Sequence, residues 1–109
     1  MSDRNLENLR VWTDTRIFVN EIYNMMQSCH DYGFRDQLQR ASVSIMNNIA
    51  EGFESSSDKM FVRYLSISKG SCSEVKSMLY LCEDRNIVHY RKERIYIQCY
   101  YQSLVRYTN

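Results

Sequence analysis

No proline interrupts the chain anywhere in its 109 residues, and glycine occurs only at Gly33, Gly52 and Gly70. Proline inside a helix costs about 3 kcal/mol relative to alanine and glycine about 1. A chain without the first and nearly without the second is free to run in long helices. The most organised stretch, residues 33–70, reads GFRDQLQRASVSIMNNIAEGFESSSDKMFVRYLSISKG. At about 100° per residue, Phe34, Leu38, Ala41, Ile45, Ile49 and Phe53 share one helical face. Gln37, Arg40, Ser44, Asn48 and Glu51 form a stripe on the opposite side.

The same reading extended along the chain predicts four helices. The first runs from about Asn5 to His30, followed by a short connection in which Gly33 suits a helix end or turn. The second runs from about Phe34 to Gly52. A Ser-rich turn follows, in which Ser56, Ser57 or Asp58 can cap the next helix by accepting an orphan backbone N–H. The third runs from about Lys59 to Glu83 and carries the strongest amphipathic pattern: Phe61, Tyr64, Leu65, Ser68, Cys72, Val75, Leu79 and Cys82 on one side, Arg63, Ser66, Gly70, Ser73 and Ser77 on the other. An exit at residues 83–86 leads to a fourth helix, from about Tyr90 to Tyr107. Four helices joined by short loops predict a single all-α domain over residues 1–109, an antiparallel up-down-up-down four-helix bundle. Trp12, Val19, Leu38, Ile45, Ile49, Phe61, Leu65, Val75 and Leu79 are the expected core.

Helix one carries more apolar surface than one stripe needs. Trp12, Val19, Tyr23 and Met26 form one set, and Val11, Phe18, Ile22, Met25 and Cys29 lie beside it. Two readings account for the surplus. The helix is either well buried in its own bundle, or Val11, Phe18, Ile22 and Met25 meet another subunit. Gly70 sits mid-helix on the back of helix three, where its cost is offset if a neighbour approaches closely. The expectation is a homo-oligomer.

Charge and composition narrow the functional classes. The net charge is +1, so no strong overall footprint for nucleic acid exists. The charge is uneven, however, and residues 87–109 are locally basic. If RNA is bound, the candidate phosphate contacts are Arg63, Lys69 and Lys76 on helix three and Arg91, Lys92 and Arg94. Tyr100, Tyr101 and Tyr107 can stack on bases, but half-buried packing accounts for them equally. No apolar run reaches the roughly 20 residues of a membrane span, and the charged N-terminus lacks a signal region, so a cytoplasmic protein is expected. Cys29, Cys72, Cys82 and Cys99 form no Cys-x-x-Cys pair and are expected to be reduced thiols.

No set of residues names a reaction. Arg40, Ser44, Asn48 and Glu51, with Gly70, Ser71 and Glu74 from helix three, are read as a polar packing or subunit network. In it Arg40 offers its planar fork to Glu51 or Glu74. The competing reading is a solvated face. General acid–base catalysis is the weakest reading, because no histidine accompanies the carboxylates. A di-iron bundle site needs Glu-x-x-His pairs, and neither His30 nor His89 follows a glutamate by three. No catalytic residue, metal, cofactor or small-molecule substrate is therefore expected.

Residues Asp36–Glu54 and Phe61–Val75 resemble a bacterial four-helix bundle family encoded in intervening sequences of large-subunit ribosomal RNA genes. The matching positions are Asp36, Gln37, Leu38, Arg40, Ala41, Ser44, Asn48, Ile49, Ala50, Glu51 and Gly52, then Phe61, Leu65, Gly70, Ser71 and Glu74. Met46 stands where the family commonly has proline, and Ser68 where alanine is usual. The resemblance implies a four-helix bundle without enzymatic activity, assembled as a homo-oligomer of five subunits. It also implies a binding role toward structured RNA or a nucleoprotein. The alternative is a protein-only scaffold or accessory subunit, for example of a reverse transcriptase.

Overall fold

The computed structural model describes residues 5–86. Within them a short 3-10 turn at Leu6–Asn8 precedes three helices: α1 (Arg10–Met26), α2 (Tyr32–Phe53) and α3 (Asp58–Asp84). The described residues contain no strand, so the all-α expectation holds. The predicted fourth helix, Tyr90–Tyr107, lies outside the described residues, as do Arg91, Lys92, Arg94 and Cys99. Three helices rather than the predicted four are counted here.

Backbone chemistry sets the helix ends. Leu9 is extended, and α1 begins only after it, five residues later than predicted. At the other end α1 stops at Met26, short of the predicted His30. The Asp31 carboxylate then accepts the Phe34 N–H at 3.2 Å and caps α2. Asp31, not Gly33, thus punctuates this connection, and no glycine of the described chain needs a positive φ. Ser57, one of three cap candidates, accepts the Met60 N–H at 3.2 Å and starts α3. Asn86 closes α3 in the left-handed region at φ 52°, a conformation asparagine tolerates.

At 27 residues α3 is the longest described helix, spanning roughly 40 Å at 1.5 Å per residue. It packs antiparallel along α2: Gln37 meets Glu74, Ser44 meets Ser71 and Gly52 meets Phe61. Near the turn the two helices pack tightly. A Cβ on buried Gly52 would lie 2.8 Å from the Phe61 ring, 2.9 Å from the Tyr64 Cβ and 3.2 Å from the Phe61 carbonyl oxygen. Only glycine fits there without a shift. On the other side α1 packs against α2, with Tyr23 beside Asp36, Gln39 and Arg40.

The core joins all three helices. Phe18, Ile22, Met26, Leu38, Ile45, Ile49, Leu65, Cys72, Val75, Leu79 and Cys82 are fully buried. Of the predicted core residues, Trp12 and Phe61 are only partly buried and pack against its edge. Three buried hydroxyls are satisfied by backbone carbonyls. Thr15 donates to Val11 at 2.6 Å and Ser42 to Gln39 at 2.9 Å. Ser68 donates across to Ile45 of α2 at 2.7 Å. That last bond ties the two long helices at mid-length.

Most of the apolar surplus predicted for helix one is taken up inside the chain. Phe18 and Ile22 are fully buried, and Met25 nearly so, in the chain's own core, while Val11 packs against that core. The buried residues of α1 are Thr15, Phe18, Val19, Ile22, Met25 and Met26. They occupy an arc of about 120° on the wheel, the width of an ordinary core-facing stripe. Tyr23, placed inward by the sequence pattern, is instead exposed.

Candidate interaction surface

Two surfaces hold the predicted polar residues Ser44, Asn48, Ser71 and Glu74 and the predicted residues of the α3 back. The first is a polar seam where α2 runs along α3. The Asn48 amide donates to the Ser44 carbonyl at 2.8 Å and to the Ser44 Oγ at 3.1 Å. A hydroxyl oxygen has two lone pairs and one proton. While accepting from Asn48, Ser44 therefore still pairs with the Ser71 hydroxyl at 2.9 Å. One turn-pair away the Gln37 amide donates to Glu74 at 3.4 Å, a long and solvent-exposed bond. Ser44, Asn48 and Ser71 are thus joined by hydrogen bonds, while Glu74 pairs separately with Gln37.

Arg40 is not part of it. It is exposed and makes no ion pair among the described residues, so the predicted fork to Glu51 or Glu74 does not form. The reason is position: Arg40 lies on the α1 side of α2, lining an open groove of about 390 Å³ with Tyr23, Asp36 and Gln39. Glu51 is exposed as well.

The second surface is the outer face of α3. Ser66, Gly70, Ser73 and Ser77 are all exposed, as the pattern predicted. A Cβ built on Gly70 meets nothing within 4 Å, so no close neighbour among the described residues accounts for that glycine. Among these small residues stand Val62, Ile67, Tyr80 and Leu81, which are 38%, 47%, 47% and 45% exposed. The sequence reading passed over these four large side chains, although the same helical wheel places them on the back. The cations of α3 do not form one row. Lys69 and Lys76, seven residues apart, share one edge of the outer face and are half-buried, while Arg63 is exposed on the opposite edge.

The thiols of the inner face are of a different kind. Cys29, Cys72 and Cys82 are free and buried. Burial pushes the Cys72 thiol up to about 12, and burial together with the charge of nearby Cys29 pushes Cys82 up to about 11. Thiols held protonated in this way are poor nucleophiles and poor metal ligands. Among the described residues no group of three or more His, Cys, Asp or Glu side chains is placed to hold a metal. No described helix is long and apolar enough to cross a membrane.

These features define a small all-helical protein with a polar seam and a long, partly apolar helix face open to solvent. The chain belongs to the 23S rRNA-intervening sequence protein family, whose family model matches residues 7–103. No curated protein matches it.

Proposed function

We propose that this protein is non-catalytic and acts as a self-assembled binding scaffold, with copies meeting through the outer face of α3. The observation that carries this reading is the exposure of Val62, Ile67, Tyr80 and Leu81 around Ser66, Gly70, Ser73 and Ser77. Val62 and Tyr80 lie on one line of the helix, roughly 27 Å apart. The four apolar side chains are spread along that length among small polar residues. The small residues between would admit another helix closely, and its larger side chains would fill the space open at Gly70. Five copies is the number that the family resemblance implies.

The outer face carries both signs of charge, with Arg63 and Glu74 exposed together, which suits a protein contact better than a phosphate backbone. RNA is the second reading. It is favoured by the common edge of Lys69 and Lys76, to which Arg91, Lys92 and Arg94 add basic charge in sequence. Light scattering of the purified chain at micromolar concentration tests assembly: a mass near five times 13.1 kDa supports the proposal, and 13.1 kDa overturns it. A gel shift on structured RNA that weakens steeply with salt would favour the second reading. Binding to protein alone would favour the first.

A further inference from the structure

We draw no further inference here: the strongest candidate, the open groove between α1 and α2 lined by Tyr23, Asp36, Gln39 and Arg40, carries nothing because nothing among the described residues shows what covers it.

Discussion

On the inner face of α3, Ser68 and Cys72 sit among Leu65, Val75 and Leu79 and are buried in the core. On the outer face, Ser66, Gly70, Ser73 and Ser77 sit among Val62, Ile67, Tyr80 and Leu81 and face solvent. Both faces mix small residues with large apolar ones, so composition alone does not separate them. Their surroundings do. Inside, the Ser68 hydroxyl finds the Ile45 carbonyl, and across the same helix pair Gly52 takes the edge of Phe61 and the Cβ of Tyr64. Outside, Gly70 has nothing against it among the described residues. A small residue on a helix is therefore informative only together with what fills the space beside it. In the function proposed above, the outer face is a contact whose other half is another copy of the chain.

If the inner face holds the fold and the outer face does not, substitutions on the two should separate cleanly. The largest effect belongs to Leu65, fully buried in the core. Leu65→Ala should destabilise the chain by about 2–5 kcal/mol, through lost burial and the cavity left behind. Chemical denaturation measures this, and a loss below about 0.5 kcal/mol would show that the inner face has been misplaced. Gly52→Ala should cost about 1–3 kcal/mol, because the new methyl meets the Tyr64 Cβ and a backbone carbonyl, neither of which moves easily. A neutral result would mean that α2 and α3 separate at the turn without penalty.

Cys72 distinguishes the faces by pH. Its thiol stays protonated in the folded chain up to about 12, whereas the unfolded chain loses that proton near 9. The unfolded state thus binds fewer protons above pH 9, and stability must fall as pH rises through that window. Its contribution is fully present below pH 9. The expected slope is about 1.4 kcal/mol per pH unit while the thiol titrates. Denaturation at pH 8, 9 and 10 should show a shallower alkaline decline for Cys72→Ala than for the parent chain. Equal slopes would place Cys72 in contact with water.

The smallest effect is on the outer face. Gly70→Ala adds a methyl where there is open space and should stabilise the isolated chain by about 0.5–1 kcal/mol. Gly70→Leu should weaken assembly while leaving the circular dichroism spectrum helical. A Gly70→Leu chain that assembles fully would clear Gly70 of any part in the contact.

Much of this architecture was legible from residue spacing. The helical class, the α2 and α3 stripes, a cap among Ser56, Ser57 and Asp58, and the exposure of Ser66, Gly70, Ser73 and Ser77 follow from periodicity and turn chemistry. Three features did not follow. Asp31 rather than Gly33 starts α2, because a side-chain cap and a flexible glycine leave similar marks in a sequence. Phe18, Ile22 and Met25 read as surplus on an isolated wheel, yet their direction coincides with the packed side of α1. Arg40 shares a stripe with Ser44 and Glu51, but a stripe is wide enough for one edge to face α1 while the other faces α3. In the last two cases the pattern fixes a side chain's angle on its own helix. The neighbour that arrives at that angle is a tertiary property.

The outer-face contact is tested most directly by sedimentation velocity of the parent chain beside an Ile67→Glu variant, both at micromolar concentration. Ile67 is 47% exposed, so the substitution leaves the core untouched and places a charge in the middle of the proposed contact. The parent is predicted to sediment as an oligomer and the variant near 13.1 kDa, with equal helical content by circular dichroism. A parent that sediments at 13.1 kDa, or a variant that sediments with an unchanged oligomer, would contradict the account.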